Sequence, residues 1–338
     1  MISAAMLLAW VIALALVAYV LTAGADFGAG LWDLLAIGPR AQRQRTAIEH
    51  AIAPIWEANH IWMILVVVLA FTGFPEAFAL VCIALHIPIS LALVGIVLRG
   101  AAFSFRSYGV RSEVARSRWG HVFAWASLIT PVCLGLVIAG MSSGAIVQDG
   151  GVMRSGYFAG WTSAFAVLTG AFVLAIFALL AAVYLTLDVS DDAELQADFR
   201  RRALVCELVA GLLAATVAWR ASVDAPLLLH GLLHGPWSIA VQLLTMLAAL
   251  ATIFALIRDR FVIARITVAA QIALVVLGWA LAMDGHLVLD AIPIERAGAR
   301  PGVIGPVLWV LAAGGLVLLP ALWWLMRVFK QRASSADL

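Results

Sequence analysis

Two short stretches of the sequence place ionisable side chains inside apolar runs. GADFGAG (24–30) contains Asp26, and PIWEANHIW (54–62) contains Glu57 and His60. A charged side chain near the centre of a membrane helix costs about 2.5–3.5 kcal/mol on insertion scales, so a position that keeps one is a functional candidate. Burial moves carboxyl groups towards the neutral form, which is what a proton relay requires. The two stretches predict proton transfer or cation binding inside a membrane.

The composition indicates an integral membrane protein. The chain has 338 residues, of which 64% are hydrophobic and 12% charged, and its mean hydropathy is +1.06. Soluble domains carry about 25% charged residues, so a soluble protein is excluded and no nucleic-acid partner is expected. The three cysteines lie in apolar runs, which favours helix packing over a disulfide framework or a metal cage. The first apolar run lacks a basic leading segment and is expected to remain as a membrane helix.

Apolar runs bounded by charged residues or by Gly/Pro clusters predict one all-α transmembrane domain over residues 1–338, a bundle of nine helices. The expected spans are residues 2–36, 47–72, 76–98, 119–142, 159–187, 202–221, 237–257, 263–283 and 304–326. The first span exceeds the length that a crossing of about 30 Å needs. It is expected to be tilted or interrupted near Gly24.

The distribution of basic residues predicts the orientation of the bundle. With the N-terminus outside, 17 of the 21 Lys and Arg residues fall in inner segments, Arg99 among them. The outer segments hold only Arg154, Arg220, Arg296 and Arg300. This asymmetry is typical of an N-terminus outside, a C-terminus in the cytoplasm and an odd number of spans.

Asp26 and Glu57 are predicted to lie at one depth. Asp26 stands about ten residues before the first inner loop, and Glu57 about ten residues after the second span begins, so both are about 15 Å from the cytoplasmic end. Asn59 and His60 add polar groups beside Glu57. Glu57 and His60 also have the Glu-x-x-His spacing of di-iron bundles, but such a site needs a second pair that no other span supplies.

The other candidate histidines have structural and functional interpretations. His86 lies in ALHIP, where Pro88 frees a backbone carbonyl and can kink the helix. A hydrogen-bonded packing role is favoured for His86 over a ligand role. His230 and His234, one turn apart, fit either a two-histidine metal site or an interfacial amphipathic segment, and the second is favoured because no carboxylate lies at a supporting spacing.

The glycines around Asp26 predict close helix packing. Gly24 and Gly28 have the small-xxx-small spacing that lets a second helix approach. With Gly30 they do not form a dinucleotide fingerprint, because no strand precedes them and no βαβ unit follows. Close packing here would bury Asp26 in protein rather than in lipid.

These motifs resemble those of subunit II of cytochrome bd-type quinol oxidases. The resemblance rests on GADFGAGLWDLL at the end of the first span, IAPIWEANHIW early in the second and LRGAAFSFRS after the third, within residues 20–107, and on the N-out, nine-helix topology. It implies a terminal oxidase of the bacterial inner (cytoplasmic) membrane that oxidises quinol and reduces dioxygen to water. It also implies that haem b, haem d and the quinol site belong to the partner, subunit I, and that this chain ligates no cofactor.

The resemblance also implies roles for individual residues. Asp26 matches the second acid of the family's first motif, and Glu57 matches an acid that is Asp in many members. The positions matching flanking or supporting residues are Trp56, Asn59, Trp62 and Arg99. Many members carry a further acid where this chain has Ala23. The hypothesis is therefore a cytoplasm-facing proton path through Asp26, Glu57 and His60, with His86 among the supporting groups.

Two other classes of function use the same residues. A cation- or proton-coupled transporter or channel would bind its ion at the buried acids, but the inverted repeats and paired broken helices of many transporters are not evident. A purely structural subunit would have no relay. Small accessory subunits, and a structural quinone or lipid in a groove of this chain, are compatible with the oxidase interpretation.

Overall fold

The computed structural model describes residues 3–52, 56–105, 113–149 and 152–335, and this part of the chain is predominantly α-helical, as predicted. The first half contains α1 (Ala4–Leu34), α2 (Ala41–Ile52), α3 (Trp56–Gly73), α4 (Pro75–Ala84), α5 (His86–Ser104), α6 (Glu113–Ser142), β1 (Gln148–Asp149) and β2 (Val152–Met153). The second half contains α7 (Ala164–Asp188), α8 (Ala193–Asp224), α9 (Pro226–His234), α10 (Ser238–Ile257), α11 (Phe261–Ala282), β3 (His286–Val288), β4 (Ile292–Pro293), α12 (Ile294–Ala297) and α13 (Pro301–Ser335).

The first predicted span is one continuous helix. α1 begins after Ser3, whose hydroxyl oxygen accepts a hydrogen bond from the Met6 amide at 3.1 Å, and it continues through Gly24 to Leu34. The alternative of an interruption near Gly24 is therefore wrong. Its 31 residues extend over about 46 Å, more than the hydrocarbon thickness. Neighbouring helices line α1 at its small residues, which offsets the low helix propensity of glycine.

The second and third predicted spans have different boundaries from those expected. Residues 47–52 belong to α2, whose sequence AQRQRTAIEHAI is too polar for hydrocarbon. The segment 76–98 is not one helix, because it divides at Leu85 into α4 and α5. The helix from Asn59 to Gly73 meets α4 at an angle of 117°.

Two prolines account for these breaks. Phe74 adopts a non-helical conformation (φ −138°, ψ 58°) directly before Pro75, as expected for a residue that precedes proline. Pro88 has no N–H to donate to the carbonyl of Ala84, where α4 ends. The kink predicted at Pro88 is confirmed as a break at Leu85.

The centre of the molecule is α7. Its residues are apolar on every side and mostly buried, which is the pattern of a helix surrounded by other helices. It packs against α1, α6, α8 and α11, and its largest fully buried side chains are Phe165 and Phe177. The main hydrophobic core therefore joins the first and second halves of the chain.

Gly28 allows α1 and α7 to approach closely. A Cβ atom at this position would lie 1.9 Å from the carbonyl oxygen of Phe177, and one at Gly24 would lie 3.0 Å from the Phe177 ring. One turn further on, the Trp32 indole N–H donates to the carbonyl of Ala178 at 2.9 Å. The close packing predicted from the Gly24–Gly28 spacing is confirmed.

The segments predicted as outer loops contain short structure that the sequence did not reveal. β1 pairs with β2 and β3 with β4, each as a small antiparallel hairpin, and α9 lies between α8 and α10. Leu289 joins the second hairpin segment to α6 by donating to the Met141 carbonyl at 2.9 Å. These segments close one end of the bundle.

Among the described residues, seven helices are long and apolar enough to cross a membrane, and the bent pair of α3 and α4 gives an eighth if it is counted as one span. The ninth expected span, 304–326, falls within α13, where the apolar segment Gly302–Leu318 is shorter. The chain is thus a multi-pass membrane protein. The count of nine and the orientation remain predictions.

Candidate functional site

Asp26 is a buried carboxylate on the inner face of α1. Only 6% of it is exposed, and Ala23, one turn earlier, is also buried. The small residues around Asp26 let α6 and α7 lie against α1, so the carboxylate is surrounded by protein. It therefore needs partners inside the bundle, since a buried charge without them is costly.

Arg99 is the main partner of Asp26. Its Nη1 donates to Asp26 Oδ2 at 2.7 Å, and its Nη2 donates to Oδ1 at 2.5 Å and to the Asp26 carbonyl oxygen at 3.0 Å. The pair is bidentate, the geometry in which guanidinium and carboxylate groups interact most strongly. Arg99 is 2% exposed and lies inside α5, so counting it among the inner-loop charges was wrong. Sixteen basic residues in segments predicted as inner, against four in segments predicted as outer, remain.

Three side chains hold the Arg99 guanidinium from other directions. Nε donates to Ser127 Oγ on α6 at 3.0 Å, and the Ser127 hydroxyl donates to the Phe123 carbonyl at 2.7 Å. The guanidinium carbon lies 4.8 Å from the ring centroid of Phe27 and 4.7 Å from that of Phe123. This aromatic sandwich stabilises a cation removed from water.

Gly30 makes room for Ser127. A Cβ atom on Gly30 would lie 2.2 Å from Ser127 Oγ, so a larger residue there would push α6 and the serine away from Arg99. The glycines of GADFGAG thus have two partners, α7 at Gly24 and Gly28, and α6 at Gly30.

The first turns of α3 lie beside this ion pair. Asn59 is 1% exposed, and its Nδ2 donates to Asp26 Oδ2 at 3.4 Å, while its buried Oδ1 has no hydrogen-bond partner among the described residues. His60 is half-buried and within electrostatic range of both Asp26 and Arg99. Trp62 is half-buried against the main core. The structure therefore brings Asp26, Arg99, Asn59 and His60 into one region.

Two predicted site residues cannot be located at the side-chain level. Glu57 and Trp56 belong to the first turn of α3, but their side chains lie outside the described residues. Their backbone positions, two and three residues before Asn59, put them next to the region of Asp26. The predicted pairing of the two acids at one depth stays a prediction.

His86 lies away from this region. It is exposed at the first position of α5, where Nδ1 lies 2.9 Å from the carbonyl oxygen of Ile83 and the ring meets Tyr157 edge-on at 6.0 Å. Thirteen residues of helix, or about 20 Å, separate His86 from Arg99. The geometry agrees with the packing role and does not bring His86 to Asp26.

The described residues contain no group of three or more His, Cys, Asp or Glu side chains arranged to hold a metal ion. His230 and His234 stack on each other in α9 with ring centroids 4.6 Å apart, and both are exposed. This arrangement favours the interfacial segment over a metal site.

A polar network ties the start of α2 and the preceding Arg40 to the start of α8. Arg40 donates to both oxygens of Asp198 at 2.8 Å, and Gln44 donates to Asp198 at 2.9 Å while accepting from Arg202 at 2.8 Å. Arg43 binds Asp192 and Glu194. These contacts fix the segment that follows α1 against α8.

Sequence reasoning missed a second buried polar contact, between Glu207 on α8 and Gln271 on α11. The Gln271 amide Nε2 donates to Glu207 Oε1 at 2.6 Å, and both side chains are buried. The signal was present in LVCELVAG, where one acid interrupts an apolar run.

An apolar groove opens between α5 and α6. Its volume is about 350 Å³, and Leu91, Val94, Leu98, Trp125 and Ile129 line it together with His121. The same helix pair holds the Arg99–Ser127 contact. The apolar lining of the groove suits an acyl or isoprenoid chain.

Comparison with known proteins identifies the family and the fold. A sequence model of the family described as "Cytochrome bd terminal oxidase subunit II" matches residues 4–329, so the chain belongs to this family. The solved bd oxidase of Geobacillus thermodenitrificans has a chain with the same fold. That chain aligns with a TM-score of 0.80 and 22% sequence identity, over 96% of this chain and 98% of that one.

Curated relatives are similar but distant. "Cytochrome bd ubiquinol oxidase subunit 2" of Bacillus subtilis (strain 168) is 29% identical over 137 residues, 39% of this chain and 38% of that protein. "Putative cytochrome bd menaquinol oxidase subunit II" of the same organism is 22% identical over 241 residues, 69% of this chain and 67% of that protein. The match thus spans well under half the length of the first of these relatives, and the low identities agree with a divergent member.

Proposed function

We propose that this chain is subunit II of a terminal oxidase that oxidises quinol and reduces dioxygen to water. In this proposal it packs against a haem-bearing subunit I in the bacterial inner membrane and contributes a cytoplasm-facing proton path. The observation that carries the proposal is the Asp26–Arg99 ion pair, buried between α1 and α5 in a chain of the bd subunit II family.

The proposed proton path runs through Glu57, His60 and Asp26. The Asn59–Asp26 contact supports it, because it sets the first turn of α3 against the carboxylate. A proton that reaches Asp26 has to compete with the Arg99 guanidinium for the same two oxygens. Arg99 and Asn59 are therefore positioning residues that regulate when Asp26 can accept a proton.

The unpartnered Oδ1 of Asn59 supports a hydrated route. A buried amide oxygen without a donor is costly, and an ordered water is the usual donor at such a site. Such a water would link the neighbourhood of His60 to Asp26. Position 23 is Ala rather than an acid, so the proposed route uses Asp26 as its acid on α1.

The proposed topology has nine spans, with the N-terminus outside and the C-terminus in the cytoplasm. The surplus of basic residues in the segments predicted as inner supports it, and each predicted span overlaps one or two of the described helices. Asp26 then lies nearer the cytoplasmic end of α1.

The haems are assigned to subunit I in this proposal. Haem b and haem d would supply electron transfer and dioxygen reduction there. The described histidines of this chain offer no clustered ligand set, and His86, His230 and His234 are exposed near helix ends. A structural quinone or lipid is proposed for the groove between α5 and α6, since its lining is almost wholly apolar. Small accessory subunits are compatible with the remaining exposed apolar faces.

The decisive experiment uses the purified complex with Glu57→Gln and Glu57→Ala. We expect normal haem content, with quinol-oxidase turnover and proton uptake lowered at least tenfold. Glu76→Gln is the matched control, because Glu76 is an exposed carboxylate at the start of α4. Unchanged proton uptake in both Glu57 variants would exclude the path. A chain that purifies without any haem-bearing partner would exclude the oxidase assignment and favour the transporter.

A further inference from the structure

Glu207 and Gln271 form a buried contact outside the region of Asp26. Glu207 lies on α8, five residues beyond Arg202 and so about 8 Å further along the helix axis, inside an apolar run. Gln271 faces it from α11, with Nε2 2.6 Å from Glu207 Oε1. The two residues are 5% and 8% exposed, so neither side chain reaches lipid or water freely.

The contact leaves two oxygen atoms without a partner. Glu207 Oε2 and Gln271 Oε1 are both buried, and neither accepts a hydrogen bond from the described residues. If the carboxyl group is ionised, both atoms are acceptors and cannot bond to each other. Each unpaired acceptor is then unfavourable, and the buried charge is more unfavourable still.

The groups packed around Glu207 do not neutralise it. The titratable or charged side chains nearest to Glu207 in sequence on α8 are Arg202 and Cys206, and the packed helices add Arg265 on α11 and Tyr184 and Asp188 on α7. α10 has none, and the two histidines of α9, His230 and His234, are exposed. Arg202 donates to Gln44, and Arg265 lies over the Tyr184 ring at 4.4 Å. None of the ion pairs formed by the described residues includes Glu207.

One proton would satisfy both oxygens. Placed on Glu207 Oε2, it makes that atom a donor towards Gln271 Oε1, while Gln271 Nε2 continues to donate to Glu207 Oε1. Acid and amide then form a ring of two hydrogen bonds, and no charge is buried. This arrangement agrees with every contact that the two residues make.

We propose that Glu207 is a membrane-buried proton-binding site, whose bound proton closes a two-hydrogen-bond ring with Gln271 and joins α8 to α11. The ligand is a proton, and the site is separate from the Asp26–Arg99 pair. The proposal does not depend on the proposed oxidase function, because it rests on two helices of the second half of the chain.

Infrared spectroscopy of the purified complex tests the protonation state. The difference spectrum between the wild type and Glu207→Gln should contain the carbonyl band of one protonated carboxyl group at neutral pH, shifted in heavy water. Glu194→Gln is the control, since Glu194 is an exposed acid on the same helix and binds Arg43. A difference spectrum with carboxylate bands and no protonated carbonyl band would overturn the proposal.

A stability series tests the ring itself. Glu207→Gln should keep the wild-type melting temperature, because the new amide N–H takes the place of the acid proton. Glu207→Leu should lower it, since the Gln271 amide then loses its only partner. The double variant Glu207→Gln/Gln271→Glu should restore the ring, and with it the melting temperature, because the acid and the amide have only exchanged helices. If Glu207→Gln lowers the melting temperature as much as Glu207→Leu, the ring does not exist.

Discussion

The guanidinium of Arg99 meets both carboxylate oxygens and the backbone carbonyl of Asp26, 73 residues away in the chain. Ser127 and two phenylalanine rings complete the surroundings of the cation. The acid of the first helix is thus part of a preformed, charge-balanced cluster rather than an isolated carboxylate. Any proton transfer at Asp26 has to disturb that cluster, which links the chemistry of the site to the packing of α1, α5 and α6.

Removing one member of the pair should be strongly destabilising. We expect Arg99→Gln or Asp26→Asn to lower the stability of the complex by about 3–5 kcal/mol, because each leaves an uncompensated buried charge. The double variant should lose less than the sum of the two single variants. Thermal unfolding of the purified complex measures all three.

Arg40→Gln is the matched control for Arg99→Gln. Arg40 is 41% exposed in its ion pair with Asp198, and solvent screening leaves such an exposed pair with little effect on stability. Equal effects of Arg40→Gln and Arg99→Gln, or additive effects of the two single substitutions in the pair, would contradict the burial argument.

The sequence predicted the acid, and the resemblance gave Arg99 as a supporting position, but neither predicted that the two form an ion pair, and the reason is physical. A carboxylate among glycines in an apolar run can be identified from the sequence alone, and so can the approximate length of each helix. An ion pair between α1 and α5 depends on which helices become neighbours. Arg99 stands close to a basic loop, so it was grouped with the loop charges.

The same limit applies to Glu207 and Gln271, which are 64 residues apart. The break at Leu85 was predictable, since proline lacks the N–H that the helix needs. The 117° turn before Pro75 was not, because its angle depends on the packing of Gly73 against Leu8.

Ser127 should be important for its hydroxyl group alone. Ser127→Ala removes the acceptor for Arg99 Nε and leaves a buried donor unpaired, so we expect a loss of about 1–3 kcal/mol in stability. Oxidase turnover should fall as well if the orientation of Arg99 regulates Asp26. Ser222→Ala is the control, because the Ser222 hydroxyl binds its own helix at an exposed position. A Ser127→Ala complex as stable as that control would argue against the positioning role.

Gly28 should not tolerate even one methyl group. The Phe177 carbonyl oxygen would lie 1.9 Å from the new Cβ, and this neighbour is backbone that cannot rotate away. We expect Gly28→Ala to lower the unfolding free energy by about 1–3 kcal/mol or to prevent assembly. Gly211→Ala on α8 is the comparison, since no atom lies within 4 Å of its Cβ position and alanine favours helix. If the Gly28→Ala complex has a melting temperature equal to or higher than that of the Gly211→Ala complex, α1 and α7 are less closely packed than described.

The stability contributed by the contact between α2 and the start of α8 should depend on pH. Hydrogen bonding to Arg43, and then to the Leu195 backbone amide, holds the pKa of Asp192 below its usual range. Because the folded state lowers this pKa, the contribution to stability is complete above the unfolded value of about 3.9 and disappears as the pH falls through the folded value. The difference in melting temperature between wild type and Asp192→Asn should therefore be constant near neutral pH and shrink in acid. Asp191→Asn is the control, because it removes a neighbouring charge that does not contact Arg43. If Asp192→Asn lowers the melting temperature at neutral pH no more than Asp191→Asn does, the link is refuted.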